Sequence, residues 1–274
     1  MTASARVHAD DLAAIAGYRL RFGERRFRGR AGARRGRASG SSLEFLDFRD
    51  YLPGDDLRHV DWRGYARTEQ LRVRLHEEEV APYVDVVIDT SASMAVTPGK
   101  ERAAHALAAA LLQWSQHEGS TARLLALGGG RQEAATLAFD AGATTPQPPQ
   151  MPLRQGGARI LLTDALWEGE PAPLLHTLLG GASRFLCVQL LDPWELAPTV
   201  GGALTLLDCE GAGRAELLLD ARTVAGYRER LERLCAGLRT LVVGAGGSHV
   251  LVTAADLTTM CTNDLLPAGV VEPA

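Results

Sequence analysis

Apolar residues along this chain follow two rhythms. Near-continuous aliphatic runs occur at 83–88 (YVDVVI), 123–127 (RLLAL), 159–163 (RILLT), 184–191 (RFLCVQLL) and 249–253 (HVLVT). Between several of them the spacing changes to three and four. In 100–117, Ala104, Leu107, Leu111 and Trp114 share one helical face, and Gly119 stops the pattern. In 221–238, Val224, Tyr227, Leu231, Leu234 and Leu238 do the same, with Glu229 and Arg233 paired on the outer side. Continuous aliphatic strands alternating with amphipathic helices predict an α/β fold, a mostly parallel central sheet flanked by helices. Residues 204–220 depart from this, since two short strands flanking Gly211 and Gly213 predict an antiparallel hairpin.

Upstream the pattern is different. Residues 9–22 predict a short helix capped by Asp10 or Asp11, with Leu12, Ile15 and Tyr18 on one face. Residues 23–42 are Gly, Arg and Ser with little to bury, which predicts a flexible arm. Residues 43–82 mix aromatics, Asp and Arg around Pro53-Gly54, and the alternating LRVRL at 71–75 predicts a half-exposed strand. The expected organisation is therefore an N-terminal helix and arm (1–42), a small β-rich region (43–82) and a large α/β domain (83–274).

Composition adds limits. With 46% hydrophobic and 23% charged residues the chain has a soluble globular make-up. It has no run of about 18 apolar residues and no secretory signal pattern, so a cytoplasmic location and no membrane contact are expected. Cys187, Cys209, Cys235 and Cys261 are widely spaced and predict free thiols in or near the core. Charge is uneven: ten arginines face three acids in residues 1–40, and the remainder carries 19 basic and 30 acidic groups. Arginine outnumbers lysine 28 to one, Lys100 being the single lysine, so the arginine of the arm partly reflects overall usage.

The chemistry concentrates at VVIDTSASM, 86–94, where a buried-strand run ends in an acid and alternating hydroxyls. In a parallel sheet, ligand sites lie beyond the carboxyl ends of the strands. A short loop there can turn Asp89, Ser91 and Ser93 towards one point, and such hard oxygens suit an octahedral divalent cation. RILLTDALW repeats the pattern, ending a strand in Thr163-Asp164. The alternative is a capped turn, in which Asp and Ser satisfy free N–H groups.

D-x-S-x-S at one strand end followed by T-D at another resembles the metal-ion-dependent adhesion site (MIDAS) of von Willebrand factor A domains. RDYLPGDDLRHVDWRGYAR at 49–67, LLDCE at 206–210 and DARTVAGYRERL at 220–231 resemble the family catalogued as domain of unknown function number 58. The resemblance spans residues 43 to about 260. It implies a von Willebrand factor A-like fold, a Mg2+ or Mn2+ site at Asp89, Ser91, Ser93 and Asp164, and a pairing with MoxR-type AAA+ ATPases. It also implies a threonine ligand, for which Thr144 or Thr145 is the candidate. With neutral serines among its ligands, the cation would stay electrophilic enough to accept a partner's carboxylate.

The expected function is a non-enzymatic protein-interaction adaptor in assembly or remodelling of other proteins. Asp89 is expected at the sheet's exposed end, where its loss would cost little stability. Two other readings stand beside it. A phosphohydrolase would use Asp89 as nucleophile, although the second acid such enzymes need two residues on is Ser91 here. Nucleic-acid binding would use the arm, where nine arginines fall between 19 and 37, without an aromatic platform to support it. The Arg-Asp-aromatic stretch at 49–67 reads equally as a turn laced by ion pairs or as a binding surface. Gly244-Ala245-Gly246-Gly247 precedes a strand and lacks dinucleotide-loop spacing.

Overall fold

Six of the chain's strands form one sheet, in the order β11-β8-β7-β4-β5-β6. They are β4 (Tyr83–Ile88), β5 (Thr121–Ala126), β6 (Arg131–Gln132), β7 (Ala158–Thr163), β8 (Arg184–Leu191) and β11 (Ser248–Thr253). All pair in parallel except β6, which runs antiparallel to β5. The fold is mixed α/β, a mostly parallel six-stranded sheet flanked by helices. The computed structural model describes residues 9–21, 43–51, 60–78, 83–116, 120–140, 146–199, 201–210 and 213–274. The expected arm at 23–42, the Pro53-Gly54 turn and Thr144 and Thr145 lie outside them.

Period-two alternation sends strand side chains to opposite faces. Val84, Val86, Ile88, Ile160, Leu162, Val188 and Val252 join one buried cluster, with α3 (Pro98–Trp114). Val87, Leu161, Phe185 and Cys187 join the other, with α4 (Ala172–Leu179) and α6 (Ala221–Gly244). Helix α3 shows the predicted face, Ala104, Leu107, Leu111 and Trp114 being buried, but Ala103, His105, Ala106 and Ala108 are buried as well. It is covered on nearly every side, because α1 (Ala9–Gly17) and α7 (Leu257–Met260) also contact it.

Residues 9–22 were expected to be one helix, yet helix ends at Gly17 and Tyr18–Leu20 form β1, paired with β12 (Val271–Pro273). Glycine favours helix ends, and the ladder to β12 offers the following residues an alternative set of hydrogen bonds. Helix α1 belongs to the large unit: Ile15 is buried, and its carbonyl accepts from Trp114 Nε1 at 2.9 Å. By contacts, Met1–Gly23 groups with Pro82–Ala274, and Glu24–Ala81 forms a separate unit inserted between them.

Two charged side chains are built into the sheet. Asp85 on β4 accepts from Arg123 at 2.7 and 3.1 Å and from the Arg154 N–H at 2.9 Å. Arg159 on β7 donates to the carbonyls of Leu178 (2.6 Å), Gly180 (2.8 Å) and Arg154 (3.0 Å), capping the C-terminal end of α4. The expected hairpin is present as β9 (Gly202–Leu207) and β10 (Arg214–Leu219). Helix α6 is preceded by Asp220, whose carboxylate accepts the Thr223 N–H. Cys187 and Cys261 are buried as expected, whereas Cys209 is exposed.

The smaller unit is an antiparallel pair, β2 (Leu43–Asp50) and β3 (Arg72–Glu78), with a bulge at Phe45/Asp47, and helix α2 (Trp62–Thr68). Trp62 and Tyr65 meet edge to face at 6.4 Å and are both exposed. A Cβ at Gly64 would lie 2.5 Å from the Asp61 carboxylate, so any other residue there would make that side chain shift.

Candidate functional site

The order of strands reverses at β4, whose neighbours β5 and β7 both follow it in the chain. Asp89 follows β4 and Asp164 follows β7, so the two acids meet at this switch point, where parallel sheets place ligand sites. Both are buried, at 4% and 0% exposure, as are Ser91 and Ser93.

Asp89 is far from the exposed end expected of it. Its Oδ1 accepts the Ser91 N–H at 3.0 Å, and its Oδ2 accepts from Thr163 Oγ1 at 2.7 Å and Trp167 Nε1 at 2.6 Å. Removing this carboxylate would orphan three donors, each costing about 1–3 kcal/mol if left unpaired. Burial first, and the neighbouring charge of Asp164 second, push its carboxyl above the ordinary value. Thr163 also accepts the Ala165 N–H at 2.9 Å, and Ala165 holds a left-handed backbone (φ 56°). Such strain is found where surrounding structure overdetermines a turn.

Ser91 and Ser93 lie on the turn after Asp89 with their hydroxyl oxygens 2.9 Å apart. Burial and the charges of Asp89 and Asp164 push the Glu210 carboxyl up.

Asp164 points elsewhere. Its Oδ1 accepts the Leu166 N–H at 3.1 Å, and its Oδ2 lies 2.9 Å from the ammonium of Lys100. Lys100 has no exposed surface and sits equally close, at 2.9 Å, to Glu195 Oε1. Two helix starts lock this triad. Thr97 caps α3 by accepting the Lys100 N–H at 3.0 Å and donates to Asp192 Oδ2 at 2.6 Å. Asp192 caps α5 (Pro193–Leu196) in a capping box, its N–H donating to Glu195 Oε2 at 2.6 Å.

Lys100, Glu195, Thr163, Trp167 and Glu210 went unread as site residues. Two signals for them exist in the sequence. A single lysine among 29 basic residues marks a place where only an ammonium fits, and D-P-W-E at 192–195 spells a capping box. Trp167 and Glu210 carry no such signal, because their placement depends on loop paths.

The donor set was tested against a hard divalent cation. Ser91 Oγ, Ser93 Oγ and the free lone pair of Asp89 Oδ1 fit one. Asp164 fits only as a nearby charge, its outer oxygen being held by Lys100. Among the described residues no three His, Cys, Asp or Glu side chains group as a metal cluster of their own. The cleft beside Asp89 and Ser91, walled by Gly128, Gln147 and Trp167, has a volume of about 50 Å³, which suits water or an ion but not an organic cofactor.

A sequence model of the family described as "Protein of unknown function DUF58" matches residues 47–145, a segment that includes Asp89, Ser91 and Ser93. Over that segment the chain matches the DUF58 family. It is also 28% identical to uncharacterized proteins of Mycobacterium bovis and Mycobacterium tuberculosis, over 72% of this chain and 73% of each relative. Among solved structures it is similar to the conserved hypothetical protein BatB from Bacteroides thetaiotaomicron, at a TM-score of 0.34 and 14% identity, over 64% of this chain and 91% of that one. A structure described as an aerotolerance-related membrane protein from Bacteroides fragilis matches at 0.33 and 14%, over 65% and 94%. Among the described residues of the chain, no helix is long and apolar enough to cross a membrane.

Proposed function

We propose that this protein is a non-enzymatic interaction module of von Willebrand factor A-like architecture, docking partners through Mg2+ or Mn2+ at the sheet switch point. The observation that carries the reading is the gathering of Asp89, Ser91 and Ser93 oxygens within a surplus of negative charge. Asp89, Asp164, Glu195 and Glu210 influence one another there, and a single ammonium, Lys100, offsets them. Asp89, Ser91 and Ser93 would hold the ion directly, with Asp164 acting through its field. A bound cation there supplies an electrophilic centre for a partner's carboxylate.

The MIDAS-type reading rests on the resemblance at Asp89, Ser91, Ser93 and Thr163-Asp164, and a MoxR-type AAA+ ATPase as partner, in assembly or remodelling of other proteins, on the resemblance at 49–67, 206–210 and 220–231. A cytoplasmic location goes with it. The phosphohydrolase reading is weaker, since Asp89 Oδ2 already accepts two hydrogen bonds and has little freedom to attack. The arm that would bind nucleic acid lies outside the described residues.

Calorimetric titration with Mn2+ and Mg2+ tests the site, comparing the native chain with Ser91→Ala and Ser93→Ala. Both variants should bind at least about tenfold more weakly, a loss of about 1.4 kcal/mol. A pull-down with a MoxR-type ATPase, with and without chelator, tests the docking. Capture that ignores both chelator and Asp89→Asn would reject it.

A further inference from the structure

The β9–β10 ribbon stands apart from the six-stranded sheet, and among the described residues no third strand pairs with it. A lone two-stranded hairpin is marginal in water, and a further strand or a packed face is what stabilises one. Little packs on this one. Of its strand residues Leu219 alone is buried, whereas Leu206, Leu207, Leu217 and Leu218 are exposed.

The register fixes what the free edge of β10 offers. Arg214 lies opposite Leu207, and Leu219 opposite Gly202. Just beyond the ladder, Asp208 donates its N–H to the Gly213 carbonyl at 2.9 Å. Hydrogen-bonded and non-hydrogen-bonded pairs alternate along an antiparallel ladder. The backbone groups of Gly213, Ala215, Leu217 and Leu219 therefore face β9, and those of Arg214, Glu216 and Leu218 face outward.

The outward positions also carry opposite charges. Arg214 and Glu216 lie on one face of the strand, their side chains 65% and 81% exposed and only loosely in contact at 3.7 Å. Charge guards a strand edge when an incoming strand cannot match it. Here a second copy of β10 matches it. In an antiparallel pairing centred on Ala215, Arg214 of each copy lies opposite Glu216 of the other. Centring on Glu216 instead would set Glu216 against itself, which like-charge repulsion disfavours. The free edge of β9 bears no charged residue to select a partner.

We propose that β10 is a dimerisation edge: two copies of the chain join antiparallel about Ala215 and continue their ribbons as one four-stranded sheet. Arg214 and Glu216 of each copy exchange backbone hydrogen bonds and opposite charges with Glu216 and Arg214 of the other. The contact is self-complementary and closes on itself about a two-fold axis. Leu204, Leu206, Ala215 and Leu217 share one face of each ribbon, so pairing brings both apolar faces to the same side of the joined sheet.

Sedimentation equilibrium of the full chain tests this, in reductant so that the exposed Cys209 cannot cross-link copies. The native chain should show a monomer–dimer equilibrium. Arg214→Glu and Glu216→Arg each set like charges opposite one another and should weaken it at least about tenfold. Both positions are exposed, so the folds should stay intact, which circular dichroism checks. Mixed one to one, the two variants should form a heterodimer of about native affinity, because each supplies the charge that the other lacks. Thr205→Lys, on β9, should change nothing. A native chain still monomeric at about 100 μM overturns the proposal. So do dimers that persist in both charge variants, or a mixture that stays as weak as its components. Dimers lost in Thr205→Lys but kept in the charge variants move the contact to β9 and overturn it as well.

Discussion

Replacing Lys100 by methionine probes the charge balance at the switch point. The side chains are close in volume, so little cavity is made, and the change amounts to deleting one buried ammonium. Lys100 makes 2.9 Å contacts to both Asp164 and Glu195, with no exposed surface on the lysine or on the Asp164 side chain. Screening by solvent is therefore slight. Removing one partner of such a buried arrangement costs about 3–5 kcal/mol, chiefly because the other charges remain uncompensated. Against a total of about 5–15 kcal/mol for a typical domain, Lys100→Met should be marginally folded. Lys100→Arg should not rescue it, since a planar guanidinium cannot occupy the space of a fully buried ammonium.

The decisive comparison is the triple variant Lys100→Met, Asp164→Asn, Glu195→Gln. Its amide oxygens can keep the bonds from the Leu166 and Asp192 N–H groups while both negative charges disappear. It should recover at least about half of the loss, a non-additivity expected of residues in one network. Urea unfolding followed by circular dichroism measures all three. The pH response adds a check. Burial already pushes Glu195 up and Lys100 opposes that shift, so the single variant raises it further. A carboxyl raised in the folded state loses stability as pH rises from its unfolded value through its folded one. Lys100→Met should accordingly regain stability on acidification. A loss below about 1 kcal/mol, or a triple variant as unstable as the single, would refute the charge-compensation argument.

Asp89 should show in the pH profile as well: its folded carboxyl lies above 3.8, so it contributes a decline in stability as pH rises from there. Asp89→Asn should flatten that part of the profile, as read from melting temperatures across pH, and an unchanged slope would contradict the assignment. Arg159→Met should cost about 2–4 kcal/mol by leaving the C-terminal carbonyls of α4 without their donor. Calorimetric melting measures this, and Arg159→Lys should restore little, because one ammonium cannot reach three separate carbonyls.

The strand ends and the D-x-S-x-S turn were legible because each element states its own local rule: aliphatic continuity for β4 and β7, then small polar residues where the strands stop. The N-terminal helix was overextended because its last residues answer to β12, more than 250 positions away, and no local pattern carries that pairing. The same limit applies at the site. Asp89 looked like a freely solvated terminus because Thr163 and Trp167 come from another strand and its loop. Lys100 was not read as a site residue, because the carboxylates that bury it come from the end of β7 and from α5. Its singularity among the basic residues was visible but read as usage.

The pairing of Tyr18–Leu20 with Val271–Pro273 also sets a timetable for synthesis. At about 5–20 residues per second, β1 waits on the order of tens of seconds for its partner to leave the ribosome. Throughout that interval α1 lacks its contact with α7, while β2, α2 and β3 follow one another closely in the chain and can pair early. The large unit therefore closes only once α7 and β12 have been made. A nascent chain stalled before Leu257 would leave α1 without α7 against it, a form to which holdase chaperones bind.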